Sequence, residues 1–301
     1  MSAQDFIASP AVVAYAGRKG VDLSDVARKS GRTNLAREDV DQHLDGSTST
    51  GASMGADDQR YWDIDHAAYG PISEEPVTRI ASLAADNLSA ANRIVPQVTH
   101  HDRADMRAVE TFRKSLKAEA LAKGLKLTAL AFHVKALTRA LAAFPLFNTS
   151  LSADGKTLTR KNYFHIGIAV DTPHGLMVPV IRDADRKGLW QISAEITALA
   201  KRAGERKLRP DEMGGASMSI SNLGGIGGTA FTPLLNPPEV AILGITRAET
   251  VPLWENEAWQ PVLMAPLDLS YDHRVINGAE AARFLAHYAS LLADPRRMLI
   301  S

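Results

Sequence analysis

Apolar positions in this chain switch between two periods. In "TRIASLAADNLSAAN", Ile80, Leu83 and Leu88 recur at helical spacing. The runs "RAVETFRKSLKAEALAKG" and "TALAFHVKALTRALAAF" do the same, and "SAEITALAKRAGERKL" repeats the pattern later. Such spacing lines one helix face with apolar side chains, so amphipathic helices are expected. Elsewhere the pattern shortens. "ASMSISNL", "EVAILGIT" and "LMAPLDLSYDH" are short apolar-rich segments and read as strands. "FHIGIAVDTPHGLMVPVIRDA" reads as two strands around a Thr172-Pro173-His174-Gly175 turn. "FNTSLSADGKTLTRK" reads as a hairpin turning at Ala153-Asp154-Gly155. The last strand runs into a closing helix. Residues 72–301 are therefore expected to form one α+β domain, a large mixed sheet covered by helices.

The pattern lapses at "DGSTSTGASMGADD", residues 45–58, where small and polar residues dominate. Residues 45–71 are expected to be a flexible linker. Residues 7–44 precede it as a small helical domain. Ser9 is placed to cap a helix with Pro10 at its first position and Val12, Tyr15 and Ala16 on the inner face. Gly20 ends that helix, "VDLSDV" makes a short turn, and "REDVDQHL" forms a second helix. Two short helices make a marginal core, and modules of this kind usually bind something.

Composition narrows the chemistry. The 301 residues are 45% hydrophobic and 23% charged, with formal net charge zero. No bulk electrostatic pull toward nucleic acid or a membrane is expected. Cysteine is absent, which excludes disulfides, thiolate metal sites and cysteine nucleophiles. Any thiols in the chemistry belong to substrates. No apolar run approaches the ~18 residues of a membrane span. The first residues, "MSAQDFIASPAVV", lack the pattern of a signal peptide, so a cytoplasmic location is expected.

Two segments concentrate reactive side chains. In "SYDHRVINGAEAARF", residues 270–284, Asp272, His273 and Arg274 crowd a strand-to-helix junction. Asn277, with Glu280 three residues later, fits a capping box and defines the helix start. His273 then sits just outside the helix, where an imidazole suits general base work. A salt bridge between Asp272 and Arg274 would lock the turn. In "SMSISNLGGIGGTAFTP", residues 217–233, a strand ends at Ser221-Asn222 and a glycine-dense loop follows. Prolines rather than a helix come next, which argues against a dinucleotide fingerprint. Ser221 has no acidic partner at short spacing. Its hydroxyl is suited to donating to a developing oxyanion.

"DHRVING", residues 272–278, resembles the Asp-His-Arg-x-x-x-Gly signature of the dihydrolipoamide acyltransferases, the cores of 2-oxo acid dehydrogenase complexes. The resemblance extends over residues 74–301 through "PLFNTSLSADG", "HIGIAVDTPHGLMVPVI", "SISNLGGIGGTAFTPLLNPPEVAILGITRA" and "PLDLSYDHRVINGAEAARF". "EEPVTRIASLAADNLSAANRIVPQVTHHDRADM" is most similar to the pyruvate-type, acetyl-transferring branch. Residues 7–44 resemble the family's peripheral subunit-binding domain. The resemblance implies a chloramphenicol acetyltransferase-like catalytic fold. It also implies acyl transfer between dihydrolipoamide and coenzyme A, without a metal. His273 would be the general base on the coenzyme A thiol, Ser221 the oxyanion donor and Asn277 a further site residue where many relatives have aspartate. Asp272, Arg274 and Gly278 would be structural. A homotrimer is implied, with His273 and Ser221 meeting across its interface.

Departures from the family pattern set further expectations. Without a recognisable lipoyl domain, the lipoyl group would arrive on another chain. Val13, Gly17 and Asn34 stand where relatives use arginines to clamp partners, so dehydrogenase and lipoamide dehydrogenase subunits would bind weakly. Arg18, Lys19, Arg28, Lys29 and Arg32 remain nearby as a basic face. The terminus "RRMLIS" ends on polar Ser301 after Met298, Leu299 and Ile300, which opposes insertion into a neighbouring trimer and favours isolated trimers. Two other readings stay open: a non-catalytic scaffold, and a stand-alone coenzyme A-dependent acetyltransferase for a small acceptor.

Overall fold

Alternation of side chains across the strands decides the layering of the larger unit. The structure, a computed structural model, describes residues 7–8, 10–30, 34–35, 37–44 and 64–298. The chain divides into two units, Met1–Glu75 and Pro76–Ser301. Of the expected linker, residues 45–71, residues 45–63 lie outside the described residues; in the remainder His66–Tyr69 form a short 3-10 helix, with Asp65 accepting the Ala67 N–H.

In the first unit, α1 (Pro10–Lys19), α2 (Leu23–Ser30) and α3 (Arg37–Leu44) bury Val12, Ala16, Leu23, Val26, Leu35 and Val40 together. A parallel pair, β1 (Ile7–Ala8) with β2 (Asn34–Leu35), accompanies them. The turn expected at "VDLSDV" is instead the start of α2. Asp22 explains the difference. Its carboxylate accepts the Ser24 N–H at 2.8 Å, and its carbonyl accepts those of Asp25 and Val26 at 3.1 Å. This satisfies donors that a helix start leaves free, and Leu23 and Val26 are then buried.

The second unit runs α4 (Arg79–Ile94), β3 (Gln97–Asp105), α5 (Arg107–Ser115), α6 (Lys117–Ala122) and α7 (Ala129–Ala143). The hairpin β4 (Thr149–Leu151) and β5 (Leu158–Arg160) follows, then β6 (Ile166–Ile168), β7 (Val180–Ile181) and α8 (Leu189–Gly204). It closes with β8 (Met218–Asn222), β9 (Ala241–Ile245), β10 (Glu249–Glu255), β11 (Ala258–Asp272) and α9 (Gly278–Ala293). The main sheet has the order β10-β11-β9-β8-β6-β7, with β3 also paired to β11. β6, β8 and β9 are parallel; β11 is antiparallel to both β9 and β3. The expected α+β domain with a mixed sheet is what the chain forms.

Met218, Ile220, Leu243, Leu267, Leu269 and Tyr271 share a core with Phe132 and Leu137 of α7 and Phe284, Leu285 and Tyr288 of α9. Each such side chain contributes ~1.5–3 kcal/mol by leaving water. Phe147 stacks on Phe284 with ring centroids 4.0 Å apart. The alternate positions, Ser219, Ser221, Gly244, Asp268 and Ser270, are small or polar. They belong to the opposite face, because successive strand side chains point to opposite sides. Helices therefore cover one face, and the other is mostly small or polar, with buried Ile242, level with Ser219 and Ser270, as an apolar exception.

Three elements depart from the pattern. β3 reads "QVTHHDRAD" and has no apolar alternation, yet nine of its residues pair with β11. β10 joins β11 through Asn256 and Glu257, both at positive φ, the conformation of a tight hairpin turn. The run from Arg107 is two helices rather than one, broken at Leu116. α4 does form, but Leu83 is 61% exposed and Leu88 40%, so this chain leaves much of its apolar stripe uncovered.

His133 of α7 gives the core a pH dependence. Its Nδ1 lies 2.6 Å from the Tyr288 hydroxyl, and burial pulls its pKa down to about 4 while pushing that of Tyr288 up. The unfolded chain takes up a proton near pH 6.5, whereas the folded chain resists until about pH 4. This contribution is complete above pH ~6.5 and is lost as pH falls toward ~4, by roughly 3 kcal/mol. Denaturant unfolding at several pH values should show the loss. His133→Gln should flatten it; an unchanged slope in that variant would contradict the assignment.

Candidate active site

The junction between β11 and α9 is tied together by Asp272. Its N–H donates to the Val240 carbonyl at 2.9 Å, continuing the β11–β9 ladder to the residue just before β9. Its carbonyl accepts the N–H groups of Val275 and Ile276, each at 3.0 Å. Its buried carboxylate accepts the Arg274 N–H and Nε at 3.0 Å and Nη2 at 2.7 Å. These bonds push the Arg274 pKa up. The expected salt bridge is therefore present and closes the turn. His273 projects from it, exposed, with its N–H donating to the Pro96 carbonyl at 3.1 Å. Its ring lies 5.8 Å from that of Tyr271.

Asn277 caps α9. Its Oδ1 accepts the Glu280 N–H at 2.9 Å, and Glu280 Oε2 accepts the Asn277 N–H at 3.4 Å. The reciprocal pair satisfies two helix-end donors. Gly278 is the first residue of the helix, and Ile276 beside it is wholly buried. The exit of the strand and the start of the helix are both held, with His273 between them.

Ser221 is half-buried near the end of β8. The loop beyond it turns at once: Ile226 and Gly227 donate to the Leu223 carbonyl at 2.9 and 3.0 Å. Gly228 adopts φ +86°, open to glycine without strain. Arg247 donates to the Ile226 carbonyl at 2.8 Å, and Asn222 Oδ1 accepts the Gly224 N–H at 2.9 Å. No helix follows, as the prolines indicate.

The ladder separates Ser221 from His273. Ser221 is level with Gly244, which is level with Asp268. His273 lies five residues beyond Asp268. At ~4.8 Å per strand and ~3.3 Å per residue, the two side chains originate roughly 19 Å apart. One chain does not bring them together.

Three residues on the face that bears Ser221 escape a reading of motifs alone: Asp268, His101 and Gln97, the last level with Asp272 at the His273 end of β11. Asp268 is 1% exposed and lies 2.6 Å from Nδ1 of His101. Gln97 holds the Pro233 carbonyl and the Leu235 N–H at 3.2 and 2.9 Å. His101 and Gln97 belong to β3, whose polar sequence gives no strand signal. Among the described residues, no group of three or more His, Cys, Asp or Glu side chains is placed to hold a metal ion.

In the first unit, Val13, Gly17, Arg18 and Lys19 are exposed on α1, and Arg28 and Lys29 are exposed on α2. Lys19 lies over the Tyr15 ring at 5.8 Å, and Arg28 pairs with Asp25. Arg32 and the Asn34 side chain lie outside the described residues, as do Leu299, Ile300 and Ser301. Met298, expected to contribute to an inserting terminus, is instead buried in this chain's own core, and Arg139 donates to its carbonyl at 2.9 Å.

The family model for 2-oxoacid dehydrogenases acyltransferase (catalytic domain) matches residues 69–300. The chain is 47% identical over 299 residues to the dihydrolipoyllysine-residue acetyltransferase component of the pyruvate dehydrogenase complex of Pseudomonas aeruginosa, covering 97% of this chain and 55% of that protein. With the same component from Azotobacter vinelandii it shares 46% identity, covering 97% of this chain and 47% of the relative. The chain thus spans about half the length of the curated relatives it matches. One solved structure concerns the roles of a serine, a histidine and an asparagine in the mechanism of A. vinelandii dihydrolipoamide acetyltransferase. It superposes with TM-score 0.77 at 51% identity, over 79% of this chain and 98% of that one. Another, the cubic core of the pyruvate dehydrogenase multienzyme complex, gives TM-score 0.77 at 52% identity with the same coverage. The chain belongs to the 2-oxoacid dehydrogenase acyltransferase family, and residues 69–300 match its catalytic domain.

Proposed function

We propose that this chain transfers an acetyl group between dihydrolipoamide and coenzyme A. One spacing carries the reading. In the A. vinelandii enzyme, the serine, histidine and asparagine studied for catalysis are separated by 52 and then 4 residues. Ser221, His273 and Asn277 are separated by the same 52 and 4.

The chemistry follows from the side chains. A coenzyme A thiol, with a pKa near the ~8.5 of a free thiol, is mostly protonated at neutral pH. His273 takes that proton as sulfur attacks the thioester carbonyl of acetyl-dihydrolipoamide. The carbonyl oxygen becomes an oxyanion, to which the Ser221 hydroxyl donates. Collapse of the intermediate breaks the bond to the dihydrolipoamide sulfur, which receives the proton from His273. The products are acetyl-coenzyme A and dihydrolipoamide. Asn277 holds the helix start that fixes the approach of His273. Asp272 and Arg274 keep the turn in shape.

The site is shared by two copies in a homotrimer. The separation of Ser221 from His273 within one chain supports this, because both must reach the same carbon. The exposed Leu83, Leu88 and Ile94 on α4 support it too, as apolar surface suited to contact with another copy. The exposed Val13 and Gly17 on α1 favour weak binding of dehydrogenase subunits.

A transfer assay with acetyl-coenzyme A and free dihydrolipoamide tests the reading. His273→Ala should lower kcat by ~100-fold or more. Wild-type turnover in that variant would overturn the mechanism. Ser221→Ala should lower kcat ~100-fold with little change in KM, since the hydroxyl acts on charge present only in the transition state. A raised KM with unchanged kcat would assign Ser221 to substrate binding instead.

A further inference from the structure

The polar face of the sheet carries a buried carboxylate that the proposed mechanism does not use. Asp268 is 1% exposed on β11. Burying an anion is unfavourable unless it is paired and hydrogen-bonded. Asp268 has two partners. Its Oδ1 lies 2.6 Å from Nδ1 of His101 on β3, and its Oδ2 accepts the Phe231 N–H at 3.3 Å. A carboxylate only accepts, so Nδ1 of His101 carries the proton.

Phe231 belongs to the segment that follows the glycine-dense loop and lies along this face. Side chains on three strands pin the segment. The Thr246 hydroxyl, just past β9, donates to the Thr229 carbonyl at 3.2 Å. Gln97 holds Pro233 and Leu235. Asp268 is the middle fastening, between those two. The Phe231 ring rests on Gly244: a Cβ there would come within 2.7 Å of it. Gly244 is directly level with Ser221 on the neighbouring strand. The ring therefore fills the space that any side chain on Gly244 would occupy, one strand (~4.8 Å) from Ser221 on the same face.

We propose that Asp268 is a positioning residue for the acyl-transfer site, holding Phe231 against Ser221 while His101 holds Asp268. The inference rests on the acyltransferase reading above. Without Asp268 the Phe231 backbone loses its fastening, the ring leaves Gly244, and the Ser221 hydroxyl loses the wall that orients it. Orientation errors of this size reduce the chemical step more than substrate binding.

The test is kinetic, on the full chain, in the same transfer assay. Asp268→Ala should lower kcat about tenfold or more while KM for either substrate moves less than about threefold. Asp268→Asn keeps an oxygen for the Phe231 N–H and should stay within about threefold of wild type. The decisive arm is the double variant. If Asp268 acts through Ser221, adding Asp268→Ala to Ser221→Ala should cost less than about twofold further, because the orientation no longer matters. A full, multiplicative loss in that background, or a raised KM with unchanged kcat, overturns the proposal. Phe231→Ala, at a half-buried position, should behave as Asp268→Ala does and takes its place if the latter does not fold. If Ser221→Ala alone turns over like wild type, the oxyanion role of Ser221 fails and this inference fails with it, whereas absence of transfer by the wild-type chain would overturn the acyltransferase reading itself.

Discussion

Ser221, Gly244 and Asp268 lie side by side because β8, β9 and β11 hydrogen-bond in a single register. A slip of one residue anywhere in that ladder would move every side chain of the strand to the other face. The register is held by what it buries. Ile220, Leu243 and Leu269 must meet α7 and α9, so Ser219, Ser221 and Asp268 must turn away from them. Hydrophobic burial on one side thus dictates the chemistry available on the other. The same ladder leaves the proposed base and the proposed oxyanion donor roughly two strands and five residues apart. That separation supports the proposal that a second copy completes the site.

The end of β11 shows how the fold holds a reactive side chain at an exposed turn. Asp272 closes the sheet with its N–H, the turn with its carbonyl, and the Arg274 side chain with its carboxylate. Asn277 and Glu280 then start α9 with two reciprocal bonds. His273 contributes only its N–H to this scaffold. Its imidazole, beside the Tyr271 ring, makes no hydrogen bond among the described residues. Ser221 is framed differently, by a loop of glycines and by Gly244 and Asp268 in line with it on β9 and β11. The two halves of the proposed site are thus built by unrelated devices, one a capped turn and the other a strapped sheet face.

Much of this was legible in the chain before folding. "SMSIS" and "LDLSYD" alternate apolar with polar, so strands with one buried face follow directly. Asn277 and Glu280 announce a helix start at the right residue. Asp272 and Arg274 are close enough in sequence to pair in any tight turn. What was not legible depended on partners distant in sequence. "QVTHHDRAD" becomes β3 only because β11 offers it a ladder, and tertiary pairing overrides its weak propensity. With β3 unseen, His101 and Gln97 could not be assigned to the face that bears Ser221. "VDLSDV" looks like a turn because Asp and Ser suit turns and helix caps equally; burial of Leu23 and Val26 decides for the helix. Met298 looks like a free apolar end in sequence, but the core claims it. The distance between Ser221 and His273 is a matter of register, which sequence separation does not encode.

Subunit complementation tests the shared site most directly. His273→Ala and Ser221→Ala chains, each inactive alone, are mixed in equal amounts, dissociated and reassembled. In a cyclic trimer with the base from one copy and the hydroxyl from the next, about one site in four would combine an intact His273 with an intact Ser221. The account predicts recovery of about a quarter of wild-type turnover in trimers of unchanged size. No recovery from properly assembled mixed trimers would mean that each chain completes its own site, and would contradict the account.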